Sequence, residues 1–152
     1  MSALMSPPHA TGLAVTAAGP AAIQDELSAR LGWEESRFAR LTWRLPDSYW
    51  LAEPAEVLEL NARYVEASDR DPAAAKPLAT SIREERDATL VTIYTHDRPG
   101  LFYRIAGAIS LAGGNIIDAR IHTTADAMAL DNFLVQDPHG RPFREAEQLR
   151  RI

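Results

Sequence analysis

Residues Thr89–Gln136, TLVTIYTHDRPGLFYRIAGAISLAGGNIIDARIHTTADAMALDNFLVQ, hold a strand–helix–strand–strand unit in one continuous run. Thr89–Thr95 is rich in β-branched and aromatic residues, the composition that suits a pleated, half-buried surface. After the turn His96-Asp97-Arg98-Pro99-Gly100, the residues Leu101, Ile105, Ala108, Ile109 and Ala112 recur at the spacing of one helix face. Gly113-Gly114 ends that helix, because glycine takes the left-handed conformation after a helix without a Cβ clash. Asn115–Thr123 then alternates as a strand does: Ile117, Ala119 and Ile121 on one side, Asp118, Arg120 and His122 on the other. A polar turn at residues 124–126 leads into a third strand, Met128–Gln136.

The turn before the helix has chemistry of its own. Asp97 is placed to cap the helix by accepting a bond from a first-turn N–H, and Pro99 presets the backbone for that turn. Gly100 has no side chain to keep a second molecule off the backbone. The free N–H groups at a helix start favour a carboxylate or another anion. The plainer alternative is a well-capped turn that binds nothing. His96-Asp97 also spells the histidine–aspartate pair of metal-dependent phosphohydrolases, but His9, His122 and His139 have no ligand spacing to His96, and a metal needs such further donors.

With Gly114-Asn115-Ile116 one helix length after Asp97-Arg98-Pro99-Gly100-Leu101-Phe102, the stretch resembles an ACT domain, a small ferredoxin-like βαββαβ module of proteins that regulate amino-acid metabolism. Three further segments narrow the resemblance: Leu45-Pro46-Asp47-Ser48-Tyr49-Trp50-Leu51, Asp118-Ala119-Arg120-Ile121 and Met128-Ala129-Leu130-Asp131. From about Ile23 to Ile152 the chain is similar to the bifunctional protein-PII uridylyltransferase/uridylyl-removing enzymes, nitrogen sensors of many bacteria. The resemblance implies an α+β fold: a ferredoxin-like (ACT) βαββ unit, truncated before its last strand and preceded by a small all-helical segment. It implies amino-acid sites between paired ACT modules, here Asp97, Arg98, Pro99, Gly100 and Leu101 with Gly114, Asn115 and Ile116. It implies glutamine as the amino acid sensed, PII as the protein on which the longer enzyme acts, a second ACT module or a second copy as partner, and the cytoplasm as location. It also implies a non-catalytic fragment without a cofactor, the divalent Mg or Mn and both catalytic centres lying elsewhere in the longer enzyme. Two departures stand out: Asp126-Ala127 where the family usually has a glycine before the third strand, and Asn132 and Leu134 where a threonine and a tryptophan are expected.

Outward from this unit the organisation is simpler. Residues 1–19 are small, Pro-, Gly- and Ala-rich and aperiodic, which reads as a flexible tail. Residues 20–68 read as a helical connector: Pro20–Leu31 with an Ile23/Leu27/Leu31 stripe and Gly32 at its end, Glu34–Arg44 with Phe38, Leu41 and Leu45, then an aromatic turn at residues 47–51. Pro54–Ala67 follows as a third helix with Val57, Leu60 and Tyr64 inward. The aromatics Tyr49 and Trp50 fit core anchors better than a ligand stack. Residues 69–77 read as a linker, and 78–152 as the ACT domain. Leu78–Arg83 pairs with Thr89–Thr95 as a hairpin through the charged turn Glu84-Glu85-Arg86-Asp87, taking the sheet edge that a missing fourth strand would leave unpaired. Asp137–Pro142 is a loop, and residues 143–152 begin a helix.

Composition restricts function. Hydrophobic residues at 46% and charged residues at 24% suit an ordinary globular chain. A net charge of -5, with no basic run, argues against nucleic acid. The chain has no cysteine, which removes disulfides and thiol catalysis. No apolar run approaches the about 20 residues that span a bilayer, and the N-terminus lacks the basic start of a signal peptide. Three function classes remain open on residues alone: an amino-acid-sensing regulatory module, a module that only self-associates or joins domains, and a small metallohydrolase at His96-Asp97.

Overall fold

The computed structural model describes residues 19–76 and 78–144. Four helices come first: α1 (Pro20–Leu31), α2 (Glu35–Thr42), α3 (Asp47–Ala52) and α4 (Ala55–Arg70). Then follow β1 (Leu78–Arg83), a single 3-10 turn at Glu84–Arg86, β2 (Ala88–His96), α5 (Leu101–Leu111), β3 (Asn115–Thr123) and β4 (Met128–Gln136). The strands form one antiparallel sheet in the order β1-β2-β4-β3. The strand–helix–strand–strand unit is therefore present, and β3 and β4 have the bounds read from the sequence. The hairpin is present too: Leu78 lies opposite Ile93 and Arg83 opposite Ala88, so β1 fills the edge beside β2. The expected tail over 1–18 and the helix over 145–152 lie outside the described residues. Phe143 and Arg144 are not helical.

The sheet is covered on both faces, so β2 and β4 are buried along nearly their whole length. On one face α5 lays Ile105 and Ile109 over Val91, Ile93, Phe133 and Val135, and Phe143 closes the end. On the other face the helical segment packs Tyr49, Trp50, Leu58 and Val65 against Tyr94 and Leu130, and Val57 meets Ala88, Leu90 and Leu134.

Several local expectations are corrected. Residues 47–52 form a short helix, not a turn; Pro46 sits at its N-cap, and Tyr49 and Trp50 are its buried side chains. The second helix is shorter at both ends, Glu35–Thr42, and α4 continues to Arg70 through residues expected to be a loop. The inward stripe of α4 is Val57, as expected, with Leu58, Asn61, Ala62, Val65 and Ser68, whereas Leu60 is 38% exposed. Asn61 hides that stripe in the sequence; it is buried because its amide donates to the Tyr49 hydroxyl at 3.1 Å and its carbonyl accepts from Thr92.

Candidate functional site

Asp97–Gly100 links β2 to α5. Gly100 has φ +78 and is the N-cap of α5, with no side-chain cap. Asp97 therefore does not cap the helix; its own backbone N–H donates to the Ala127 carbonyl at 3.0 Å, tying the turn to the β3–β4 connection. The result is a fully exposed turn of Asp97, Arg98, Pro99 and Gly100 at an uncapped helix start, where N–H groups remain available to an anion.

The other half of the expected site lies elsewhere. Gly113 (φ +90) and Gly114 close α5 with bonds to the Ser110 and Ile109 carbonyls, and Asn115 opens β3 with its side chain exposed. Eleven helical residues separate the two halves, about 16 Å at 1.5 Å per residue. One chain does not bring them together. The two glycines also differ in role. Around Gly100 an added Cβ would meet open space, so the positive φ alone calls for glycine. At Gly114 a Cβ would come within 2.7 Å of Val135 and 2.8 Å of Ile109, so its room is needed by the chain's own packing and is not left for a ligand.

Between the two halves runs the outer edge of β3, which among the described residues pairs only with β4. Ile117 and Ile121 are 39% and 47% exposed there. Next to Ile121 in register is Asp131, which is 1% exposed and has one oxygen without a partner among the described residues. Burial pushes its pKa up to about 6; the backbone N–H of His122 offsets part of this, and negative Asp97 adds to it.

The polar side of β3 is the one covered by helices. Glu53, at the end of α3, bonds His122 Nε2 at 2.8 Å and Arg120 at 3.2 Å, and Arg120 reaches Asp118 at 3.1 Å. A second cluster centres on buried Arg44, which bonds Asp69, Asp126 and the Tyr94 hydroxyl. Burial works against the Asp126 carboxylate, yet bonds from Thr124 and Arg44 outweigh it and hold its pKa below the ordinary value. Burial raises the Tyr94 hydroxyl to about 12, so it remains a donor, to Asp69 at 2.9 Å. Nothing in the sequence marks Glu53 or Arg44 as partners; the alternation of Asp118, Arg120 and His122 is the one trace. His96 is exposed, and no group of three His, Asp or Glu side chains is set to hold a metal among the described residues. No helix among them is long and apolar enough to cross a membrane.

Residues 89–142 match the ACT domain family. Over 132 residues the chain is 49% identical to a protein of Erythrobacter litoralis named bifunctional uridylyltransferase/uridylyl-removing enzyme, covering 87% of this chain and 14% of that protein. Proteins of the same name from Novosphingobium aromaticivorans and Azospirillum brasilense are 52% identical over 111 residues and 40% identical over 138, covering 72% and 89% of this chain. They are covered over 12% and 14% of their own lengths. The chain thus spans about one eighth to one seventh of the length of these relatives.

Proposed function

From a chain that belongs to the bifunctional uridylyltransferase/uridylyl-removing enzyme family, with its ACT domain at residues 89–142, we infer a regulatory segment that senses an amino acid, glutamine, and does no chemistry itself. In this reading the longer protein transfers UMP to PII and removes it, in the cytoplasm, and holds its Mg or Mn outside this segment.

One observation carries the sensing role: the position of the two site halves relative to the free edge of β3. The Asp97–Gly100 turn lies at the end of the module where β3 finishes, and Asn115 at the end where β3 begins. If a second module pairs antiparallel along that edge, its Asn115 is carried to the first module's turn. A ligand there has helix N–H groups for its carboxylate. Asn115 offers a donor and an acceptor, which suits a side-chain amide. The exposed Ile117 and Ile121 supply apolar area for the pairing. The same two residues favour the second reading, a module that only self-associates.

Titration of the 152-residue chain with L-glutamine, alongside sedimentation, tests both. Asn115→Ala should weaken binding about tenfold, the loss of roughly one good hydrogen-bonding group. Ile117→Asp should abolish pairing and this binding together. Pairing without any glutamine effect would leave the self-association reading. Binding at this turn that survives in an Ile117→Asp monomer would overturn the shared site.

A further inference from the structure

Strand β3 carries one extra residue. Ile116 lies opposite Val135 and Asp118 opposite Leu134, so Ile117 is a bulge without a partner on β4. The bulge sets the side to which everything after it points. Ile116 and Val135 belong to the α5 face, whereas Leu134, opposite Asp118, meets Val57 on the helical-segment face. In a regular strand Ile116, Asp118, Arg120 and His122 would share one face, because side chains alternate with period two. With the bulge, Ile116 stays on the dry core and the three polar residues turn to the helical segment.

Glu53 holds them there. It is the C-cap of α3 and is buried. Its carboxylate meets His122 Nε2 at 2.8 Å and Arg120 at 3.2 Å. Arg120 also donates to the Ala52 carbonyl at 2.8 Å, and it pairs at 3.1 Å with Asp118, the residue directly after the bulge. Tyr49 of α3 adds an edge-on contact to the His122 ring, with centroids 4.9 Å apart.

We propose that Glu53 is a positioning residue for the outer edge of β3: by holding Arg120 and His122 it fixes the bulge at Ile117, and so couples docking of the helical segment to pairing with a second module. The proposal rests on the reading above, in which a second module pairs along this edge. A bulge bends its strand and aims its neighbours. A slip of one residue would swing Arg120 and His122 to the face built of Ile105, Ile109, Phe133 and Val135. The strand therefore has two discrete forms, clamped with the bulge in place or released and free to change register. A second module needs one fixed edge, and an edge ordered for only part of the time pairs more weakly by that fraction. Coupling is reciprocal, so pairing also tightens the clamp and carries its effect to α3 on the other face of the sheet.

The test uses the 152-residue chain with two readouts: the Ile117 backbone amide by NMR in the dilute monomer, and the pairing constant by sedimentation. Glu53→Gln keeps the size of the side chain and removes its charge. It should shift the Ile117 amide and weaken pairing at least about fivefold. Ile93→Val, a loss of core volume on β2 away from the clamp, should do neither, which separates positioning from stability alone. Asp118→Asn loosens Arg120 at a half-exposed place and should act in the same direction, so it keeps the test open if Glu53→Gln does not fold. An Ile117 amide unmoved in both clamp variants overturns the proposal and leaves the pairing reading standing. So does a moved amide with the parent's pairing constant, or an equal loss of pairing in Ile93→Val. A parent chain that stays monomeric at every concentration overturns the pairing reading and this coupling with it.

Discussion

The two faces of the sheet are held by different physics. The α5 face is dry: Ile105, Ile109, Val91, Phe133 and Val135 meet with almost no polar atom among them. The opposite face mixes aromatics and aliphatics with two polar clusters, Glu53–His122–Arg120 around buried Glu53 and His122 and Arg44–Asp69–Asp126 around buried Arg44, and the Asn61–Thr92–Asn132 chain. The apolar face depends on shape and volume. The polar face depends on every partner being present, since a buried charge without its counterpart is far worse than an apolar pair. The same sheet therefore has one side that tolerates repacking and one that fixes a particular docking of the helical segment.

The largest effect should come from the dry face. Phe133 is fully buried and stacks on Phe102 with ring centroids 6.0 Å apart. Phe133→Ala should cost about 3–5 kcal/mol by lost burial and cavity formation. Chemical denaturation measures this, and a cost under about 1 kcal/mol would mean that α5 does not rest on a close-packed core.

Next is the polar face. Glu53→Ala takes the carboxylate from buried His122 and from half-buried Arg120, which keeps Asp118, at about 2–3 kcal/mol. The contrast between faces sharpens in the double variant Glu53→Leu with His122→Phe, which removes both ends of the closest pair and should recover part of that loss. If the single and double variants are equally destabilised, the cluster is not an interacting unit.

Asp131 breaks the pattern, because it is an ionisable group on the apolar side. Its folded pKa, about 6, stands above the ordinary 3.8. The raised value means that the folded state holds the proton more tightly than the unfolded one. Its favourable contribution is full below about pH 4 and is lost as pH rises to 6. Asp131→Asn should therefore stabilise the chain on the order of 2 kcal/mol at pH 7.5 and hardly at all at pH 4. Thermal unfolding across pH 4–8 reads this out, and an equal effect at both ends would mean that ionisation is not the cause.

The difference between the faces also decides what was legible in the sequence. The α5 face announces itself: its helix stripe and the alternation of β3 are apolar, and the Gly113-Gly114 stop is explicit. The ionic face is written in residues that read as solvent-facing. Asp118, Arg120 and His122 look like an exposed strand side until Glu53 is seen beside them, 69 positions from His122. Helix α3 has six residues, too few for a period to show. Asn61 breaks the stripe of α4, although its two buried bonds make it as much a core residue as Leu58. For the candidate site, the sequence picks out both glycine-bearing ends of α5. It does not reveal that Gly114 serves internal packing, nor that the ends lie a helix length apart, because both facts depend on the third dimension.

The smallest effect concerns the connection that braces the candidate turn. Ala127 adopts φ +61 between β3 and β4. Left-handed backbone costs an L-residue about 1–2 kcal/mol that glycine does not incur. Glycine in turn loses more freedom on folding, by about 0.4–1 kcal/mol. The balance for Ala127→Gly is a gain of about 0.5 kcal/mol, a rise in Tm of one or two degrees in a domain of this size. The Ala127 carbonyl accepts the Asp97 N–H at 3.0 Å, and its own N–H donates to Thr124 at 3.1 Å. Neither bond involves the side chain, so the Asp97 turn should keep its geometry while the connection relaxes. An unchanged Asp97 amide resonance with slightly higher Tm fits this account. A lower Tm, or a shifted Asp97 amide, would mean that the alanine methyl itself holds the turn in place.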